Sequence, residues 1–528
     1  MKHSSRVALL LLPSAAVVLM LLLPMLRLAA EGWSSSVDGP VDGSFFTIWQ
    51  DDFLKWRLLW SFTQAVATCV LALGLGLPVA WVLARFEFRG RQLVLRLLML
   101  PFVVPTLVAA LGVLALWGPQ GVLSQLLGID LQDTPWLLLY GNLFFNLCLV
   151  IRAGVDALGQ VNAHCVAASR SLGATPWRAF WRVEWPVIAP WLTSSLCLVF
   201  LYCFSGFGLA LVLGGQRYAT VEVEIYTLVA YELKLAQASS LALWMLLLTG
   251  LIALAYAYVE KRLSVSTRLQ PVALRHPKTA LNWLAVFGSM FVLFFFCAAP
   301  ILAIVWRALL ADSQAWAALL DAETLQALWN TLRFSAVALL IATLLGIAHA
   351  LGTHGSVAWR AAAYLPLIAS PVTVAFGLLL LYPDWTASLA LLIAAYAVLA
   401  YPFVTKAMTA GLGSLPDNLG QVARTLGANP LRTFWRVTLP LLSPALRRGM
   451  AFAVATALGE FAVTLFLSRP EWTTLTTLIY QRLGKPGAVN LDTAMLLACL
   501  LMLLSALVFM VIDSPRKSDI ESSRSNTL

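Results

Sequence analysis

Charge is scarce along this chain. Of 528 residues, 25 are acidic and 35 basic, 11% together, against 60% hydrophobic and a mean hydropathy of +0.84. That balance excludes a water-soluble globule, whose surface needs more charge than this. Histidine is rarer still: His3, His164, His276, His349 and His354 are scattered with no ligand spacing. The seven cysteines, Cys69, Cys148, Cys165, Cys197, Cys203, Cys297 and Cys499, contain no Cys-x-x-Cys pair and mostly lie in apolar runs. They read as small core residues rather than a disulfide frame or a metal site. A phosphate-binding loop is also missing, because the only Gly-Lys pair, Gly484-Lys485, runs into Pro486 and lacks the upstream glycine. Without a His, Cys or carboxylate cluster of catalytic spacing, the chain reads as a non-enzyme with no metal and no cofactor of its own.

What the chain does have is long apolar runs. Crossing hydrocarbon takes about 20 mainly apolar residues as a helix, since every backbone polar group must be satisfied within the segment. Such segments lie near 7–28, 58–84, 92–117, 135–152, 191–214, 238–259, 280–306, 327–350, 360–382, 385–404, 449–468 and 492–512. The expected fold is therefore an all-α integral membrane protein of about 12 transmembrane helices. Lys2, Arg6 and the apolar run that ends in Leu28-Ala29-Ala30 resemble a signal peptide, but the run is longer than a signal core and holds Pro13 and Pro24. It reads as an uncleaved span.

A formal charge of +10 would point to nucleic acid in a soluble protein, but its placement here points to lipid. Arg85, Arg89 and Arg91, and then Lys261, Arg262, Arg268, Arg275 and Lys278, fall between spans on one side, while residues 31–52 and 118–133 are acidic or nearly free of Lys and Arg. By the positive-inside rule both termini lie in the cytoplasm. The 20 Trp and 26 Phe belong mostly to interfacial belts and lipid-facing surface.

A polar stretch is written twice, 254 residues apart. The first copy has Leu158-Gly159, then Arg170 to Val183, reading RSLGATPWRAFWRV, then Pro186 and Pro190; the second has Leu412-Gly413, then Arg424 to Val437, reading RTLGANPLRTFWRV, then Pro440 and Pro444. The same register matches Phe207 with Phe461, and a weaker echo pairs Ser61 with Thr331 and Gly76 with Gly346 at a shift of 270. The organisation is a duplication: residues 1–260 as a first repeat of about six spans with its loop at 158–192, a linker at 261–278, residues 279–513 as a second repeat with its loop at 412–446, and a tail at 514–528. An even number of spans keeps both loops on the cytoplasmic side.

Each loop reads as a helix, a sharp break and a short second helix. Gly173 and Gly427 suit the left-handed residue that ends a helix. Thr175-Pro176 and Asn429-Pro430 then supply an N-cap and a proline at the first helical position. Trp177, Phe180 and Trp181, or Leu431, Phe434 and Trp435, stand at i, i+3 and i+4 on one apolar face.

This text resembles the EAA loop of the inner-membrane permeases of bacterial binding-protein-dependent ABC importers, roughly E-A-A-x-x-L-G-A followed by an aromatic-rich stretch and L-P. The resemblance covers both halves and implies two parallel six-helix repeats fused in one chain. It implies that Gly173, Pro176, Phe180, Trp181, Gly427, Pro430, Phe434 and Trp435 dock in grooves of two copies of a cytoplasmic ATPase. Arg170, Arg178, Arg182, Arg424, Arg432 and Arg436 would then make polar contacts at the rim. The family's E-A-A falls on Ala167-Ala168-Ser169 and on Gln421-Val422-Ala423, so its acidic contact is missing from both copies. A periplasmic solute-binding protein and a place in the bacterial inner membrane are further implications.

Leu458-Gly459-Glu460-Phe461-Ala462 is similar to the G-E-F-G-A segment of permeases for ferric iron, thiamine, sulfate, molybdate and polyamines, with Ser205-Gly206-Phe207-Gly208 at the same register of the first half. Fusion of both halves is typical of the ferric-iron and thiamine importers of that group. Glu460 reads as an acid well inside a span, either a packing residue or, with Phe461 and Phe207, part of the passage or gate. Asn142 and Asn146, one turn apart, have the same two readings, with interhelical packing favoured. The stretches Glu222 to Glu232 and Glu471 to Lys485 read as solvated loops or as a receiving surface for the binding protein. The alternative function is a secondary active transporter with two parallel six-helix halves, which would explain the duplication but not the repeated polar loops.

Overall fold

The structure, a computed structural model, describes residues 3–34, 45, 47–260, 272–353, 359, 362–363, 365–386, 388–416, 418–467 and 469–513. Among these the regular structure is helical, apart from one isolated bridge between Phe86 and Arg275. Among the described residues ten helices are long and apolar enough to cross a membrane: Leu9–Trp33, Asp52–Arg85, Thr106–Leu127, Pro135–Leu158, Pro176–Phe204, Leu235–Val259, Ala280–Leu309, Ala322–Gly352, Leu389–Ser414 and Ala488–Ile512. Much of their surface is exposed and apolar. On Ala280–Leu309 the side chains of Leu281, Leu284, Phe287, Phe291 and Phe294 form an exposed stripe at helical spacing, a surface that lipid covers and water would not tolerate.

Four expected spans are built differently. The segment at 92–117 is broken into Arg91–Leu97, Leu100–Val103 and Thr106–Trp117, because Pro101 and Pro105 have no N–H to continue the ladder and Pro105 disfavours helix at the residue before it. The segment at 360–382 contributes the shorter helix Pro371–Leu381, which starts where the Ser370 hydroxyl accepts the N–H of Thr373 at 3.1 Å. The segments at 191–214 and 449–468 are each two helices. Trp185–Phe204 is followed by Gly208–Leu213, and Leu439–Leu458 by Ala462–Leu467. Glu460 therefore sits in the break between two helices.

Packing divides the chain into two compact units. One is built from Met1–Leu28, Val103–Pro105 and Asp312–Leu528, the other from Ala29–Phe102 and Thr106–Ala311. These units cut across the halves of the sequence. In the first, the N-terminal helix His3–Val17 packs on Ala322–Gly352, which packs in turn on Leu389–Ser414; in the second, Ala299–Leu309 packs on Thr106–Trp117 while Asp52–Arg85 packs on Pro135–Leu158. The tail at 514–528 and linker residues 261–271 lie outside the described residues.

Both units use the same devices to seat their helices. A Cβ added to Gly76 would stand 3.1 Å from Val150, and one added to Gly346 would stand 2.7 Å from Val404. The two valines are themselves 254 residues apart, so the glycine echo marks a repeated close approach of two helices, as small residues permit in membranes. In the second unit the Ser61 hydroxyl accepts the N–H of Val221 at 2.8 Å; in the first, Thr331 accepts the N–H of Leu475 at 2.8 Å. Each bond satisfies an orphan donor at the start of a short buried helix, Val221–Ala230 or Leu475–Leu483.

These two short helices replace the expected external loops. Glu222 and Glu224 are buried, the latter paired with Arg57 at 3.0 Å, so the start of that stretch is packed, while Tyr231 and Glu232 at its end are exposed. Ring contacts hold each helix to the break before it: Phe207 meets Tyr226 with centroids 5.6 Å apart, and Phe461 meets Tyr480 at 5.4 Å.

Candidate functional site

The repeated motif has one backbone geometry in both units. The helix Ala163–Ser171 ends at Leu172, and Gly173 turns left-handed with φ +83°; the helix Asn418–Thr425 is followed by Leu426 and by Gly427 with φ +77°. The Ala174 N–H then bonds to the Ser169 carbonyl at 3.1 Å and the Ala428 N–H to the Ala423 carbonyl at 3.0 Å. This six-to-one bond is the Schellman closure, which satisfies a carbonyl that the helix end would otherwise orphan. The Thr175 hydroxyl accepts the N–H of Arg178 at 3.3 Å, and the Asn429 amide oxygen accepts that of Arg432 at 2.7 Å. Pro176 and Pro430 open the short helices Pro176–Ala179 and Pro430–Thr433. The local conformation is the one the residue types predict.

A wide turn follows in each copy. Phe180–Glu184 and Phe434–Thr438 are π-helical, with the Trp185 N–H reaching the Phe180 carbonyl and the Leu439 N–H the Phe434 carbonyl. The cause is Pro186 and Pro440, which have no N–H for the carbonyl four residues earlier and press their rings against it. The widened turn joins the motif to the long helices Trp185–Phe204 and Leu439–Leu458.

The motifs protrude. Trp177 is 70% exposed and Trp435 61%, whereas Phe180 and Phe434 are half-buried against their neighbours. Trp177 and Trp181 pack edge to face with centroids 5.5 Å apart, and Trp181 leans on Trp185 at 5.0 Å. Around these apolar tips Arg170, Arg178, Arg182, Arg432 and Arg436 are exposed; of Arg424 and Pro430 only the backbone is described. The most exposed large apolar side chains among the described residues were not singled out from the sequence: Leu172 at 88% and Leu426 at 82%. Their signal was an apolar residue repeated just before the turn glycine, where the Schellman turn itself has no use for one.

Residues 72–265 and again 279–517 match the family model described as binding-protein-dependent transport system inner membrane component. The chain belongs to that family. It is similar, at 28% identity over 89% of its length and 90% of the relative's, to the thiamine transport system permease protein ThiP of Haemophilus influenzae. The protein of that name in Escherichia coli is 27% identical over 94% of this chain and 95% of its own length, and that of Brucella abortus 27% over 84% and 85%. A permease of the inner membrane with a repeated transport domain agrees with the apolar helices and with the doubled motif.

The residues proposed for a passage fall into separate settings within their own units. Glu460 is buried, and its carboxylate accepts the N–H of Val463 at 3.0 Å, capping the helix Ala462–Leu467. Its backbone carbonyl accepts the Thr476 hydroxyl at 3.0 Å and the Tyr396 hydroxyl at 3.4 Å, and Tyr396 also bonds to Thr464. In the other unit Asn142 donates to Gln64 at 2.7 Å, Gln64 donates to the Cys203 carbonyl at 2.8 Å, and Asn146 donates to the Asn142 carbonyl at 2.9 Å. Gln64 thereby serves a carbonyl left open where the helix Trp185–Phe204 stops. Phe207 and Phe461 anchor the breaks, as described above.

Proposed function

We propose that the chain is the fused permease of a thiamine importer that draws its energy from two copies of a separate ATPase and its cargo from a periplasmic receptor. The observation that carries this reading is the pair of protruding motifs, identical in backbone plan, each ending in exposed apolar side chains ringed by arginines. Apolar anchors inside a polar rim are the anatomy of a protein-binding surface. A membrane protein has no packing reason to present two of them. Thiamine is the cargo printed in the names of relatives that match over nearly the whole chain.

In this reading the motifs and both termini face the cytoplasm, Gly173 and Gly427 shape the knobs, and Leu172, Trp177, Trp181, Leu426, Leu431 and Trp435 enter the ATPase grooves. Moving a two-state permease from 1:99 to 99:1 takes a differential of about 5.5 kcal/mol, so the knobs must be firmly seated. Glu460 acts here first as the cap of a helix break. Vesicles holding the chain with its ATPase and receptor are expected to take up labelled thiamine only when ATP is supplied inside the compartment that faces the motifs. Uptake driven by an ion gradient without ATP would instead establish the secondary-transporter reading.

A further inference from the structure

The two motifs have the same backbone plan, but the residues behind them differ in kind. Behind the first, at the end of its π-helical turn, Glu184 bonds through Oε2 to the guanidinium of Arg85 at 2.7 Å. Both residues are nearly closed to solvent, Arg85 at 6% and Glu184 at 7% exposure. Arg85 is the last residue of the long helix Asp52–Arg85, so the pair ties the base of the motif to the end of a spanning helix some 99 residues earlier in the chain.

The same helix end is tied a second time. The Arg275 N–H donates to the Arg85 carbonyl at 3.0 Å, and the Glu87 N–H donates back to the Arg275 carbonyl at 3.0 Å. The Arg275 guanidinium lies over the Phe86 ring at 4.9 Å, and His276 meets the Glu87 carbonyl at 3.2 Å. The C-terminal end of the linker is thus stapled to Arg85, which holds Glu184, and to its neighbours. In the second copy the register of 254 puts Thr438 in place of Glu184, and the register of 270 puts Gly355 in place of Arg85. Neither can carry a charge, so these two positions cannot repeat the ion pair.

A buried, charge-assisted contact fixes geometry more firmly than apolar packing, because moving it apart leaves two uncompensated charges. We propose that Arg85 and Glu184 are positioning residues that make the first motif the rigid transmission element, passing the motion of a bound ATPase to the helix Asp52–Arg85, a pairing that the residues at the corresponding positions of the second copy cannot repeat. The inference rests on the importer reading above and adds to it an asymmetry that the near-identical motif sequences conceal.

The test uses the whole transporter in lipid nanodiscs with its ATPase and receptor, and reads two quantities: ATPase co-purification, which reports assembly, and the stimulation of ATP hydrolysis by loaded receptor, which reports transmission. Arg85→Met and Glu184→Gln are each expected to keep the ATPase bound and to lower the stimulation about tenfold, within the usual range of coupling between sites. The exchanged pair, Arg85→Glu with Glu184→Arg, is expected to recover at least about half of the loss, which a change in packing alone would not produce. Because removing one partner of a buried pair can prevent folding, the double neutral variant Arg85→Met with Glu184→Met, which leaves no buried charge, is measured beside them. Stimulation within about twofold of wild type in the assembled double variant overturns the proposal; a tenfold loss supports it. If the ATPase fails to bind even the wild-type chain, the importer reading falls and this inference with it.

Discussion

The Ser61 hydroxyl takes the N–H of Val221 at 2.8 Å, closing the start of a short helix from the side of a long one. Thr331 does the same for Leu475 in the other unit. The two hydroxyls also bond back to their own helices, to the Arg57 carbonyl at 2.8 Å and the Ala327 carbonyl at 2.7 Å, which aims the free lone pair at the N–H. Thr331→Val keeps the shape and loses the acceptor. It is expected to cost about 0.5–2 kcal/mol, as cap removal does, while Thr331→Ser costs only a few tenths. Thermal unfolding of the detergent-purified protein, followed by fluorescence, distinguishes the two.

The glycine contacts predict an ordering. Gly346 has less room than Gly76, with a hypothetical Cβ at 2.7 Å from Val404 against 3.1 Å from Val150. Gly346→Ala should therefore destabilise by about 1–3 kcal/mol and Gly76→Ala by less. Equal melting temperatures for the two variants would contradict the packing described for them.

Glu460 offers a clean separation of shape from charge. Its carboxylate accepts the Val463 N–H at 3.0 Å, and an amide oxygen can do the same. Glu460→Gln is expected to keep stability within about 0.5 kcal/mol, whereas Glu460→Leu should cost about 1–3 kcal/mol by leaving a buried donor unmet. A Gln variant that folds normally but no longer carries cargo would assign the charge itself to the passage.

Leu172 and Leu426 touch almost nothing in their own chain. Leu172→Asp with Leu426→Asp should leave thermal stability within about 0.5 kcal/mol, as surface changes do. On the proposed importer reading, association with the ATPase should weaken at least about tenfold, as loss of an apolar anchor from each knob predicts. Pull-down from detergent with tagged permease measures this, and full retention of the ATPase would remove these leucines from the docking surface.

Much of the motif was legible because its conformation is a local matter. A glycine after a helix, then Thr-Pro or Asn-Pro, specify a left-handed turn, a cap and a helix start through bonds that span fewer than about seven residues. The duplication was legible for the same reason, since identical local text folds identically. The breaks after Phe204 and Leu458 were not, because an apolar run continues through them and hydropathy alone cannot register a carbonyl satisfied from another helix, as Gln64 does for Cys203. The acids at 222 and 224 misled in the opposite direction: a charge in sequence looks solvated until Arg57 is brought to Glu224.

By itself, then, the sequence determined that this is a duplicated helical membrane protein with two matched knobs, because apolar length, charge placement and turn chemistry act over one or two helical turns. Only the tertiary structure decided that the N-terminal helix packs on Ala322–Gly352, that Glu460 caps a break, and that the first knob is bolted to a spanning helix by Arg85 and Glu184. Those are contacts between residues tens to hundreds of positions apart. Their energies depend on burial and distance, which no periodicity in the chain records.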